Sequence, residues 1–276
     1  MTSAIRAPAV AGRFYPRQRD ELLREIHACA CAEPDFQPVA AVGCVAPHAG
    51  YIYSGAVAGA VYARLEIPQC CIILCPNHTG MGVPLAIMST TAWQTPLGEV
   101  AAETEMASQL LRRFRPLQED SVAHRAEHAI EVQLPFLQAR RPDLKIVPIA
   151  VGTSDFHVLR GLGEALAEVV AAPEKSGNGK VLIVASSDMN HYESDTVTRV
   201  KDQKAIDRVL AMDARGLWEI VKKEHISMCG FGPTVAMLTA ARLLGATKAT
   251  LVKYATSGDV SGDYDSVVGY AGIVVT

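Results

Sequence analysis

Short, unbroken apolar runs punctuate this chain, each bounded by proline, glycine or a polar cluster. The run 42–46 stops at Pro47-His48, 71–75 stops at Pro76-Asn77-His78, and 181–185 gives way to Ser186-Ser187-Asp188-Met189-Asn190-His191. Runs of this length, ended by residues that cannot extend a β-ladder, predict buried strands passing into loops. Further strands are expected at 83–89, 145–151, 249–255 and 267–275, with a loop or hairpin rim at 91–98.

Between these runs the spacing turns helical. Leu22, Leu23 and Ile26 mark a helix over 20–30, closed by the proline-bounded segment 34–38. Ser54 is placed to cap a small-residue helix over 56–65, whose Ala and Gly residues allow close packing on a sheet. An amphipathic helix is expected over 103–114. The stripe Ile130, Leu134 and Leu137 predicts another that begins at His128, with Glu131 one turn on. Helices at 156–170, 196–210 and 217–224 follow, and Pro233 opens one running to 243, in a first-turn position that proline tolerates. Segment 7–16 reads as an extended arm, 173–179 as a solvated loop and 257–265 as a loop. The alternation of strand and helix crosses the whole chain without a linker, a repeat or a shift in composition. We therefore expect a single α/β domain over 1–276: three layers α/β/α, a mostly parallel or mixed central sheet, and helices on both faces.

Composition narrows the function classes. The 276 residues are 49% hydrophobic and 20% charged, with a net charge of −3, and a chain of this size buries roughly three quarters of its unfolded surface. That balance offers no electrostatic footprint for nucleic acid or an anionic membrane. The first residues lack a secretory pattern and no run approaches the ~20 apolar residues of a membrane span, so a cytoplasmic protein is expected. Seven cysteines at irregular positions do not suggest a disulfide framework; Cys44, Cys71 and Cys75 lie in strand-like runs where cysteine packs as a small hydrophobe. Adjacent Cys70 and Cys71 point to opposite faces of a strand, which argues against one metal held by both. Cys29-Ala30-Cys31 reads as a helix end.

The chemistry gathers at the histidines. In an open parallel sheet, ligands collect outside the carboxyl ends of the strands, so His48, His78 and His191 are expected to converge on one crevice. Two neutral imidazoles plus one anionic ligand leave open positions for substrate or dioxygen, and the set suits iron(II) when the anion is a carboxylate. Asp188, Glu127 and Cys229 are the candidates for the third ligand. Cys229 precedes a helix N-terminus, where backbone dipoles and a bound cation favour thiolate; as a buried inert thiol it fits equally well.

Six motifs together carry a resemblance. Pro8 to Pro16 (PAVAGRFYP), Ala46 to Gly55 (APHAGYIYSG), Pro76 to Gly80 (PNHTG), Glu127 to Leu137 (EHAIEVQLPFL), Ser186 to Tyr192 (SSDMNHY) and Cys229 to Pro233 (CGFGP) closely resemble the Memo family, and so does the closing loop with Val267 to Gly272. Microbial members are known as the B protein of the AmmeMemoRadiSam system, associated with radical-SAM and AMMECR-type proteins; animal members are described as mediators of cell motility. The resemblance implies a fold like that of the class III extradiol dioxygenases, which open catechol rings with non-haem iron(II). By matching motif it implies His48 and His78 as imidazole ligands, Cys229 as the third and His191 as the nearby acid/base. The dioxygenases have a carboxylate where this family has cysteine, so ring opening does not follow from the fold. A thiolate also widens the metals to zinc or copper, with Met228 as a conceivable axial ligand that we discount as packing.

Around this centre, Glu127 and His128 are expected to support a metal-bound imidazole, which needs an oriented partner. Tyr51 and Tyr53 line the pocket or simply pack, Asn77 lies beside His78, and Asp188 orients His191 or caps the segment after it. Three functions are consistent with this reading: an iron(II) redox enzyme acting on a small substrate, a zinc hydrolase using metal-bound water in the same pocket, and a metal-binding or protein-interaction module without turnover.

Overall fold

In the computed structural model of the protein, which describes residues 5–30, 37–172 and 180–276, the apolar runs become the strands of one twelve-stranded mixed sheet. The expected loop 173–179 and residues 34–36 of the expected closing segment lie outside the described residues. The strands are β1 (Ile5–Arg6), β2 (Gly43–Ala46), β3 (Cys70–Pro76), β4 (Leu85–Ile87), β5 (Ala92–Thr95), β6 (Gly98–Ala102), β7 (Gln118–Glu119), β8 (Lys145–Val151), β9 (Val181–Ser186), β10 (His191–Glu193), β11 (Ala249–Thr256) and β12 (Val267–Val275). The centre, β6-β8-β3-β9-β2, is parallel throughout. β12 closes one side, pairing antiparallel with β2, β10 and β11, and the β5–β6 hairpin sits on the other, where a rim was expected.

Parallel strands are covered on both faces, which is why they read as continuous apolar runs. The pleat sorts each run between two cores. Val45, Ile72, Leu74, Val147 and Ile183 face one cluster, while Cys44, Ala46, Cys71, Ile73 and Cys75 face the other. The first face is covered by α3 (Thr104–Arg113), α6 (Phe156–Ala171), α7 (Asp195–Leu210), α8 (Ala214–Lys223) and α9 (Phe231–Leu243). The second is covered by α1 (Arg19–Cys29), α2 (Ala56–Ala63) and α5 (Leu134–Arg140). α4 (Val122–Arg125) and α10 (Gly258–Ser261) are single turns. The strand cysteines do behave as hydrophobes: burial pushes the Cys70 thiol up to about 12 and raises Cys44, Cys71 and Cys75 as well.

Two local expectations are corrected. Ser54 does not cap α2. Residues Tyr51–Gly55 form a π-helical turn that runs directly into α2, so the first amides of α2 already face preceding carbonyls, and the Ser54 hydroxyl donates back to Ala49 C=O instead (3.0 Å). Nor does His128 begin a helix. The Glu127 carboxylate accepts the N–H groups of His128 (2.8 Å) and Ala129 (3.0 Å), which interrupts the helical path until the 3₁₀ turn Glu131–Gln133 leads into α5.

The α6–α9 contact depends on a glycine. A Cβ on Gly163 would stand 2.5 Å from the Ala236 carbonyl oxygen and 2.6 Å from Thr239 Cβ, and a backbone atom of a packed helix cannot give way. Gly163→Ala is therefore expected to destabilise the protein by about 1–3 kcal/mol despite alanine's better helix propensity. Denaturant unfolding checks this; an unchanged or higher midpoint would show that the two helices separate freely.

Candidate metal centre

Strands β3, β9 and β2 are neighbours with their carboxyl ends on one side of the sheet. His48 and His78 each follow their strand by two residues, and His128 arrives from the interruption between α4 and α5. The three rings meet edge to face or stacked, with centroids 5.1 Å (His48–His78), 5.5 Å (His48–His128) and 4.8 Å (His78–His128) apart. One ligand atom from each lies within 4.8 Å of the others. The expected support residue His128 is thus itself a member of the cluster.

The protons on two of these rings follow from their partners. Ser186 Oγ donates its one hydrogen to Ala129 C=O (2.7 Å) and accepts from Gln133 Nε2 (2.8 Å). Its remaining lone pair must accept from His48 Nδ1 (2.8 Å), so that nitrogen carries the proton and Nε2 keeps its lone pair. His78 Nδ1 donates to Glu127 Oε1 (2.9 Å), while Glu127 Oε2 accepts the His78 main-chain N–H (2.6 Å). That leaves His78 Nε2 free of a proton as well. A carboxylate behind an imidazole is the partner that metal-binding histidines need.

The charge states follow from the same contacts. Burial, then the neighbouring imidazoles, drives His48 well below the ordinary histidine range, and burial lowers His128 too. At His78 burial works in the same direction, but the Glu127 hydrogen bond and charge outweigh it and raise the ring. Burial alone would raise Glu127; the His78 hydrogen bond and the surrounding donors hold it at about 2. Proton-free imidazole nitrogens facing one another are the donor chemistry that zinc, iron or copper takes. The residues therefore fit a metal ion.

Cys229 is brought to the same place. Its Sγ lies 3.3 Å from His48 Nε2 and 3.6 Å from Asp188 C=O. Gly230 permits this approach, because a Cβ there would lie 2.3 Å from Ser186 C=O. Burial and then the Asp188 charge push the thiol well up, so thiolate at this position depends on a nearby cation.

The centre forms one wall of a cavity of 690 Å³ that is also lined by Asp188, His191, Phe14, Tyr53 and Tyr192. Asp188 Oδ1 accepts the main-chain N–H of His48 (2.7 Å), and burial raises its carboxyl against that bond. His191 is oriented by Ser227, not by Asp188. Tyr51 lies beneath the cavity, donating to Val132 C=O (2.8 Å) and packing on Phe136. Asn77 organises its own turn through Met81, Thr79 and Gly80, and Met228 packs in the core. Sequence reasoning passed over Ser186 and Gln133. Ser186 opens the polar cluster that ends its apolar run, and Gln133 stands between Val132 and Leu134 as a single polar residue.

The family model for Memo-like proteins matches residues 6–274. The chain belongs to the Memo family. A MEMO1 family protein of Methanopyrus kandleri is 43% identical over 98% of both chains, one of Pyrobaculum aerophilum is 43% identical over 98% of both, and one of Methanosarcina mazei is 43% identical over 98% of this chain and 99% of its own. In this Memo-family chain the geometry gives a three-histidine group, His48, His78 and His128, that could hold a metal ion. Among the described residues no helix is long and apolar enough to cross a membrane.

Proposed function

We propose that this Memo-family chain is a non-haem iron(II) oxidoreductase, dioxygenase-like, acting on a small oxygen-bearing substrate. What supports the reading is one observation: three imidazoles, two of them with a nitrogen left proton-free by its partners, share one wall of a 690 Å³ cavity while a fourth, His191, lines it without belonging to the cluster. His48, His78 and His128 would hold the ion, with Cys229 beside His48. Iron(II) bound there supplies electrons for dioxygen chemistry and positions for substrate oxygens. The protein's own groups do the rest. Glu127 keeps His78 turned to the centre, Asp188 pins the His48 main chain, and Phe14, Tyr53 and Tyr192 offer aromatic surface to a flat substrate. His191 exchanges a proton with that substrate. The family resemblance also supports radical-SAM and AMMECR-type proteins as partners.

A second reading, a zinc hydrolase, is favoured by the donor set itself, since three imidazoles with an open position suit zinc without any carboxylate ligand. Anaerobic purification with metal analysis, followed by oxygen-uptake screening against catechols, separates the two. Near-stoichiometric iron with substrate-dependent oxygen uptake is expected; near-stoichiometric zinc and no oxygen chemistry would overturn the iron reading. Cys229→Asp is expected to retain iron(II) and to lose affinity for copper(I), which prefers thiolate. Unchanged copper(I) affinity in competitive titrations would make Cys229 a bystander.

A further inference from the structure

Ser227 holds His191 at two points. The His191 main-chain N–H donates to Ser227 Oγ (2.7 Å), and the His191 ring Nδ1 lies 3.0 Å from the Ser227 carbonyl oxygen. A carbonyl oxygen only accepts, so Nδ1 carries the proton, and in the neutral ring Nε2 keeps the lone pair. Free histidine in water prefers the opposite tautomer, with the proton on Nε2.

Ser227 is fixed in turn by Asn190, which is wholly buried. Asn190 Oδ1 receives both the Ser227 N–H (3.0 Å) and the Ser227 hydroxyl (3.0 Å). The same hydroxyl lies 3.3 Å from His191 C=O, also a pure acceptor, so with either partner Oγ remains the acceptor for the His191 N–H. On its other side Asn190 Nδ2 donates to Glu193 Oε2 (2.6 Å), which Lys201 holds (2.7 Å), and the Asn190 main-chain N–H donates to Asp202 Oδ1 (2.8 Å). The amide oxygen must face the two Ser227 donors and the amide nitrogen must face the carboxylate. Every bond from Glu193 through Asn190 and Ser227 to His191 therefore has one permitted direction.

We propose that Asn190 and Ser227 are positioning residues that lock His191 in its Nδ1–H tautomer and leave Nε2 as the proton-accepting atom. The role this gives them in turnover rests on the acid/base assignment of His191 above. In that role a substrate O–H bond breaks as the Nε2–H bond forms, the electron pair stays on the substrate oxygen, and the Ser227 carbonyl faces the Nδ1–H of the resulting imidazolium. Glu127 and Ser186 order His78 and His48 in the cluster; Ser227 and Asn190 perform the equivalent task for His191, which lines the same cavity outside it.

The test is ¹⁵N NMR of protein labelled at histidine and stripped of paramagnetic metal with EDTA, with the His191 ring signals identified by their loss in His191→Gln. At a pH where the ring is neutral, the native protein is expected to show the Nδ1–H tautomer in excess, a shift of about tenfold from free histidine, which is the bias one well-formed hydrogen bond supplies. Asn190→Ala should bring that ratio towards or below unity, and Ser227→Ala, which keeps the carbonyl but loses the hydroxyl link, should give a smaller change in the same direction. Zinc uptake by the His48–His78–His128 cluster serves as the control for folding. If Asn190→Ala fails that control, Ser227→Ala alone decides. A native Nε2–H tautomer overturns the proposal, as does a native ratio that survives in the folded variants. The tautomer is read without turnover, so a locked His191 in a protein inert to dioxygen would sink the redox reading and leave the clamp standing.

Discussion

Replacing His48 or His78 with alanine is expected to weaken metal binding by more than about 100-fold, beyond the 10–100-fold that loss of a supporting partner costs. Each ring presents a nitrogen whose proton is held off by a dedicated acceptor on the far side, Ser186 for His48 and Glu127 for His78. Removing either ring therefore removes a prepared donor and strands its partner. His128→Ala is expected to behave in the same way, since its ring completes the set of ligand atoms within 4.8 Å. His191→Ala should leave most of the metal in place while abolishing turnover, because an acid/base is not needed to hold the ion. Equilibrium dialysis against zinc or iron(II), followed by metal analysis, checks all four. If His191→Ala loses metal as completely as His48→Ala, the division of roles between cluster and acid/base fails. If His128→Ala keeps its metal, Cys229 is the third ligand.

The second large effect is on stability. Glu131→Ala is expected to cost about 3–5 kcal/mol, the range for breaking a buried ion pair from one side, out of a total that is typically about 5–15 kcal/mol. Glu131 is fully buried, and its carboxylate accepts from the Arg6 guanidinium, the N–H groups of Ala9 (2.8 Å) and Val10 (2.9 Å), and the Tyr15 hydroxyl (2.7 Å). Truncation strands all four donors. Arg6 also donates to the carbonyls of His124 (3.1 Å) and Glu127 (2.6 Å), so the same network fixes the backbone from which Glu127 reaches His78. Denaturant unfolding should show the loss in midpoint, and the surviving folded protein should bind metal more weakly than native. A shift below about 1 kcal/mol would mean that the arm 7–16 repacks without Glu131, and that the metal centre does not depend on it.

The strands were legible because their signal is local. A block of apolar residues ended by proline or a polar cluster states its own length and its burial on both faces. Three such blocks place His48, His78 and His191 after their carboxyl ends, and parallel pairing of β3, β9 and β2 brings those ends together. Helices with a clear stripe or a proline in the first turn were likewise readable, and Cys229 does precede α9. The pairing partners of polar side chains were not. Glu131 meets Arg6 across 125 residues, Gln133 reaches Ser186 across 53, and Asn190 reaches Ser227 across 37.

The sequence by itself determined which segments become strands, which faces are apolar and which end of the sheet carries the histidines, since these depend on periodicity and on residues that stop a ladder. Only the tertiary structure decided that Glu127 breaks the helix expected from His128 onward, that His128 joins His48 and His78, that Asp188 serves His48, and that Ser227 serves His191. Asp188 and Ser227 act through hydrogen bonds of about 3 Å between distant segments, Glu127 is held in place by His78 from 49 residues away, and His128 meets the other two rings only through the packing of separate segments. Strand register and helix placement fix such distances, and nothing in the local pattern of a single segment does.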